Sequence, residues 1–405
     1  MASTLVKHSA SLFAQIAPYL PHPLQTAPQA IALHFRNPKN NVPWYQSYAY
    51  FYRTASDPIH TVLPLLGTVI IATYVMSVLT RNVSQVDRMW TTFPVIYSLH
   101  FALFPLLNEH GSAFVHNLPR VLWCVRLTYH TARRGLYSFN EEDYRYTQWR
   151  KMVPAWFFQL FSFFFVSGAQ SILLLAMALP LHNALVTPAN EHKASLLALP
   201  LGLHLSDIAL ACLSVLTIYL QWISDNQQYS YQTYKHALKA SPPDNQAIQK
   251  HKVWQHGSSR IEWTPRDIKR GFLTRGLFRW SRHPNFACEQ VMWLLQSLFP
   301  LLSGRPSELT KARWMVLMNP LYTALAMSML FVSSTWFTES LSSAKYPEYR
   351  DYQTLVGEFA VQSTIWKGVW ARLTGLRPRL VEVVWGQGLE DKAMSRKPTS
   401  KAVGQ

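Results

Sequence analysis

Three cysteines in 405 residues exclude a disulfide-stapled scaffold. Cys124, Cys212 and Cys288 are scattered through apolar stretches without metal-ligand spacing, so they read as packing residues and no metal site is expected. Charge is scarce as well. Asp, Glu, Lys and Arg together make up 15% of the chain, well under the roughly 25% of an ordinary soluble domain. That argues against the two or three soluble domains the length would allow. Acidic residues are the scarcest class, 21 against 38 Lys and Arg, for a net charge of +17. The chain has no G-x-G-x-x-G, G-x-x-x-x-G-K-[ST], H-E-x-x-H or G-x-S-x-G, so any nucleotide must be held by something other than a Rossmann or P-loop domain. His-x-x-x-His pairs are missing from the apolar stretches, which argues against a di-iron desaturase. Apolar residues, by contrast, reach 49% and aromatics 14%, which excludes disorder.

The apolar residues are concentrated. Residues 59–80, 89–108, 152–190 and 314–338 hold no Lys or Glu, and 194–224 has Asp207 as its lone charge. Each is as long as the roughly 20 residues a bilayer span requires. Two further stretches are shorter or partly polar: 118–132, with Arg120 and Arg126, and 284–303, with Glu289. The expectation is an all-α, polytopic integral membrane bundle of about seven transmembrane helices. Counting Lys and Arg tests that number, because cytoplasmic loops collect them. With seven spans, 28 of the 38 fall on one side and eight on the other, Arg120 and Arg126 lying within a span. The N-terminus is therefore expected outside or in a lumen and the C-terminus in the cytosol.

Residues 1–57 are expected to form an N-terminal extension. They are proline-bearing and hold no sustained apolar run, and Lys7 precedes only a weak S-L-F-A-Q-I-A stretch ended by Pro18, so a signal peptide is not expected. Residues 58–366 are the transmembrane domain, with one large polar insertion at 231–275 that turns at S-P-P-D-N-Q. Residues 367–405 read as a basic tail. With the basic residues sorted by membrane side and no separate Lys/Arg and aromatic module, a nucleic-acid partner is not expected.

Four constellations could carry chemistry. At 276–293, Arg279, Arg282, His283, Asn285 and Glu289 crowd the start of an apolar helix opened by Pro284. Free backbone N–H groups there favour an anion. Glu289, inside the span, costs several kcal/mol unless partnered. The plainer reading makes the arginines positive-inside anchors and Glu289 a salt-bridge partner. In Q-W-I-S-D-N-Q-Q-Y at 221–229, Asp225 and Gln227 close a span on the same basic side. A carboxylate opposite arginines suits ribose hydroxyls or a nicotinamide amide. V-D-R-M-W at 86–90, the 120–134 segment with Arg126, and E-E-D-Y-R-Y at 141–146 form a third group; an arginine within a span is a functional candidate by default. The last is Glu339 with Tyr346, Tyr349 and Tyr352, either an interfacial aromatic anchor or part of a site.

At S-R-H-P-N-F-x-x-E (281–289) the sequence resembles the membrane superfamily of steroid 5-alpha-reductases, sterol double-bond reductases and isoprenylcysteine methyltransferases. Within it, the likeness is closest to a steroid-reductase-like branch. That branch shares D-R-x-W at 87–90, W-x-x-R-L…A-R-R…E-D-x-R-Y at 123–146, S-D-x-Q at 224–227 and E…Y-P-E-Y-x-x-Y at 339–352. The likeness covers roughly residues 60–360. It implies a cytosol-facing cavity that binds NADPH, with Asp225, Arg282, Asn285 and Glu289 at cofactor-holding positions and His283 in the diagnostic motif. Gln227, Arg279 and Glu339 complete the expected cofactor site. The reaction implied is reduction of a carbon–carbon double bond in a lipophilic enone, with the endoplasmic reticulum as location. The sequence departs from the pattern at Phe286 and Cys288, and at Thr92-Phe93-Pro94, where the reductases' Glu-x-Pro carboxylate is missing. Tyr97 and Tyr129 are the candidates for the acid. The alternatives are an S-adenosylmethionine-dependent membrane methyltransferase and a non-catalytic membrane protein that keeps the fold.

Overall fold

The apolar stretches fold as helices whose outward faces are themselves apolar. The structure, a computed structural model, describes residues 22–36, 43–107, 118–135, 137–138, 141–186, 205–302 and 320–386. Lys7, Lys39, Lys193, Arg305, Lys311, Arg313 and the tail beyond Glu390 lie outside the described residues. Met1–Val215 with Met292–Met329 form one compact unit, and Leu216–Val291 with Leu330–Gln405 form a second.

In the first unit, α1 (His22–Arg36) and α2 (Trp44–Thr54) belong to the extension. Both pack on α3 (Pro58–Thr80), so the extension is helical where it is described. Tyr48 donates to Thr61 O at 2.6 Å, and Thr26 Oγ1 lies 3.0 Å from His60 Nε2. Asp57 caps α3 by accepting from Ile59 N at 2.8 Å, with Pro58 preset at the first helical position. Burial pushes the Asp57 carboxyl up, but the hydrogen bond and charge of His182 outweigh it and hold Asp57 below the usual carboxylate range. A 3-10 turn at Asp87–Met89 leads to α4 (Phe93–Leu107) and α5 (Leu118–Arg133). The short α6 (Tyr144–Met152) precedes a long apolar stretch. That stretch comprises α7 (Ala155–Phe161), a π-helical segment at Ser162–Ala169, α8 (Gln170–Ala176) and α9 (Leu179–Val186).

Three helices pass from one unit into the other along the chain: α10 (Leu205–Lys239), α13 (Pro284–Leu302) and α14 (Pro320–Lys345). The second unit also holds α11 (Asn245–His251), a hairpin of β1 (Val253–His256) and β2 (Ser259–Glu262), and α12 (Pro265–Arg270). It ends in α15 (Tyr349–Leu355), α16 (Val361–Leu373) and α17 (Arg377–Trp385). Among the described residues the hairpin is the exception to the all-α expectation: Val253 pairs with Glu262 and His256 with Ser259, the chain turning at Gly257 with φ +55°.

Four helices among the described residues are long and apolar enough to cross a membrane: Pro58–Thr80, Ala155–Asn183, Leu205–Lys239 and Leu321–Lys345. Between 22% and 44% of each apolar window is buried in protein, so most of that surface needs an apolar solvent. Ile71 and Leu79 on α3 and Phe164 in the π segment point outward, as lipid-facing residues would. Of the other expected spans, α4 is 15 residues, about 22 Å at 1.5 Å per residue, and α5 is 16. α13 has 19 residues but carries Asn285, Glu289, Gln290 and Gln296.

Two boundaries differ from the sequence expectation. Helix α10 does not end near Asp225 but continues to Lys239, into the expected insertion. Its continuation is held by a core of Tyr231, Tyr234, Trp254, Trp263, Leu273 and Phe278. The expected tail from 367 is folded as far as Trp385, because Leu380 and Val384 sit one turn apart and bury against Tyr349, Tyr352 and Ala371.

Candidate functional site

The start of α13 is built from the backbone outward. Thr264 and Asp267 form a capping box on α12, which stops at Gly271 with φ +89°. Gly276, with φ +65°, begins a 3-10 turn at Gly276–Arg279. The buried Gln227 accepts there from Leu277 N at 2.9 Å. A Cβ at 276 would run into the Gln227 side-chain amide, and the left-handed backbone there favours glycine. Gln227, expected at a helix end, is mid-helix and braces this turn.

Arg282 and His283 follow, and Glu339 of α14 gathers both. Its carboxylate accepts from Arg282 Nε at 2.6 Å and Nη2 at 2.8 Å, and lies 2.8 Å from His283 Nε2. Tyr349 donates to it at 3.1 Å and Gln353 at 2.8 Å. Arg282 Nη1 donates to Val356 O at 2.5 Å, and the backbone N–H groups of Arg282 and His283 donate to Gly357 O and Glu358 O. Burial pulls Arg282 down, but the hydrogen bonds and charge of Glu339 hold its pKa above the ordinary value. Burial, reinforced by the Glu339 charge, lifts Tyr349 well above the usual phenol range. The bidentate pair is strong and directional, so Arg282 and Glu339 lock α13 to α14 and α15.

Further polar side chains belong to the same unit. Asn285 Nδ2 and Asp225 Oδ1 are 3.4 Å apart, a long contact between partly exposed side chains. On the same helix, Gln221, one turn before Asp225, and its neighbour Ser224 are fully buried. Their side-chain amide and hydroxyl find no hydrogen-bond partner among the described residues. Thr335 Oγ1, one turn before Glu339, is in the same state. Buried polar groups are almost always paired, so these side chains have donors and acceptors to offer a polar partner. Arg279 is exposed, its guanidinium 4.6 Å over the Trp385 ring. Glu289 is buried.

Tyr97 and Tyr129 belong to the first unit. Tyr97 is fully buried, and its hydroxyl has no partner among the described residues. Tyr129 is half-exposed, with Arg133 5.3 Å over its ring. A second network in this unit joins motifs distant in sequence. Tyr146 donates to Asp87 Oδ1 at 3.1 Å, Gln170 Nε2 to Tyr146 Oη at 3.1 Å, and Trp90 Nε1 to Gln170 Oε1 at 2.8 Å. Arg88 clamps the adjoining loop through Ser138 O at 2.8 Å and Glu141 O at 2.9 Å. Burial pushes the Asp87 carboxyl up to about 6, Arg145 opposing it.

Residues 73–356 match a family described as a protein of unknown function, DUF1295. The chain belongs to this family. It is also 31% identical over 319 residues to C594.04c, an uncharacterised protein of the fission yeast Schizosaccharomyces pombe, the alignment covering 76% of this chain and 81% of that protein. No solved structure matches it.

The DUF1295 match takes in both networks, the Asp87 and Glu339 clusters alike. Sequence reasoning grouped Arg282, His283 and Asn285 but missed that Glu339 engages Arg282 and that Gln353 joins them. Gln170 lay unmarked in an apolar run, and Asp87 and Tyr146 stood in noted motifs without a role. Their one sequence signal was D-R-x-W and E-D-x-R-Y in fixed order; that these meet is a tertiary fact.

Proposed function

We propose that this chain is an NADPH-dependent membrane reductase that saturates a carbon–carbon double bond conjugated to a carbonyl in a lipophilic molecule, a steroid, sterol or other lipid. The observation that carries the reading is the row of unsatisfied buried polar groups, Gln221 and Ser224, leading to Asp225 opposite Asn285. Their mix of donors and acceptors fits an amide and sugar hydroxyls, and exposed Arg279 fits a phosphate. Arg282 and Glu339 act as positioning residues, their donors and acceptors being spent on each other. The resemblance at S-R-H-P-N-F-x-x-E supports the same cofactor, as do its partners in order along the chain. Seven spans, a lumenal N-terminus, cytosolic basic segments and the endoplasmic reticulum belong to this proposal.

When bound, NADPH supplies a hydride to the carbon beta to the carbonyl, leaving NADP+. The chain's own task is to steady the enolate oxygen and deliver one proton. Of the two tyrosines the sequence offers for that role, Tyr97 is buried with an unpartnered hydroxyl among the described residues and Tyr129 lies half-exposed under Arg133.

The test is turnover by the full-length, detergent-purified protein with NADPH carrying a deuteride and a panel of lipophilic enones. The expected product gains one deuterium and one proton. Retained NADPH with no product from any enone would make this a non-catalytic member of the fold. Methyl transfer from S-adenosylmethionine would replace the reductase by the methyltransferase.

A further inference from the structure

The first unit contains a small open cleft whose lining includes Arg120, Trp123, Met177, Met292, Trp293 and Gln296. Arg120 is 6% exposed. Its two contacts are with neutral groups: Nη1 donates to Ser98 Oγ, and Nη2 to Gln296 Oε1 at 3.3 Å. No carboxylate reaches it among the described residues. Ser98 cannot compensate, since its hydroxyl hydrogen goes to Pro94 O at 2.6 Å. The Gln296 amide is turned so that its oxygen serves Arg120, which leaves its buried Nε2 without an acceptor among the described residues.

The polar end of this cleft is therefore a set of donors around a full positive charge, and the remainder is mostly indole, thioether and proline, the Ser297 and Thr323 hydroxyls being spent on backbone carbonyls. An unpaired buried guanidinium costs several kcal/mol, and acceptors of opposite charge offset that cost. Arg120 has five N–H donors, of which two are engaged, and their planar fork suits a two-oxygen anion. The space is too small for a whole lipid, but its mouth is open and its walls are apolar.

We propose that the cleft seats a carboxylate, held by Arg120 and Gln296 Nε2, with any apolar chain leaving along the Trp and Met walls. That chemistry has two sources: the head of a fatty acid from the membrane, or a small carboxylate from water. The site shares no residue with the proposed cofactor site, and its test uses no NADPH.

Full-length protein in nanodiscs is titrated with radiolabelled oleate, with methyl oleate and acetate as competitors. The expected result is saturable binding of one oleate per chain that methyl oleate displaces at least about tenfold less well than oleate, about 1.4 kcal/mol. Arg120→Gln weakens oleate by about tenfold or more, and Gln296→Leu by a few-fold. If acetate competes as well as unlabelled oleate, the site takes a small carboxylate from water; if only oleate does, it takes the membrane fatty acid. Absence of saturable binding overturns the proposal. So does equal competition by oleate and its methyl ester, a comparison that wild-type protein alone supplies, and so does unchanged binding by folded Arg120→Gln.

Discussion

Arg282 and Arg120 are both buried at about the same depth, yet their surroundings are opposite. Arg282 has a bidentate carboxylate and a backbone carbonyl, and its partner Glu339 is further saturated by His283, Tyr349 and Gln353. Arg120 has one hydroxyl and one amide oxygen. The first arrangement is complete without any other molecule and fixes structure. The second is incomplete, as is the row at Gln221 and Ser224. In a chain with so few acidic residues, where each carboxylate goes decides which basic residues scaffold and which remain free to bind.

The largest effect is expected from stripping the complete site. Glu339→Ala leaves Arg282 buried without its counter-charge and should cost about 3–5 kcal/mol, read as a fall in the thermal midpoint of the detergent-purified protein. Gly276→Ala comes next. It forces a side chain into a left-handed backbone against Gln227 and should cost about 1–3 kcal/mol. The Asp87 network sharpens the comparison through pH. Its folded pKa of about 6 stands above the ordinary 3.8, so the folded state binds the extra proton between those values. Stability from this group is present at low pH and is lost as pH rises through about 4 to 6. Wild type relative to Asp87→Asn should lose about 1–2 kcal/mol across that window, allowing for partial exposure. The smallest loss belongs to the incomplete site: Arg120→Gln removes an uncompensated buried charge and should leave the thermal midpoint unchanged or raise it. A loss from Arg120→Gln as large as that from Glu339→Ala would break the comparison.

What could be read in the sequence was local or ordered. Arg282, His283 and Asn285 share one turn of chain, and Pro284 marks the helix start. The apolar runs announced the spans, four of which are long and apolar enough here. Long-range pairing was not legible: Glu339 lies 57 residues from Arg282, and nothing local says that the two meet. Polarity also misled at Asp225, where a polar face inside a long helix read as its end, because the aromatic core around Tyr231 and Trp263 that carries the helix on is made with later segments. The same holds for Leu380 and Val384, whose burial depends on α15 and α16.

The reductase reading stands on the groups around Asp225, and equilibrium binding of NADPH to the purified full-length protein tests it most directly. Saturable binding is predicted, weakened about tenfold, or about 1.4 kcal/mol, by Asp225→Ala and left near wild type by Arg120→Gln. No binding of NADPH to folded wild-type protein, or binding that Asp225→Ala leaves unchanged, would contradict it.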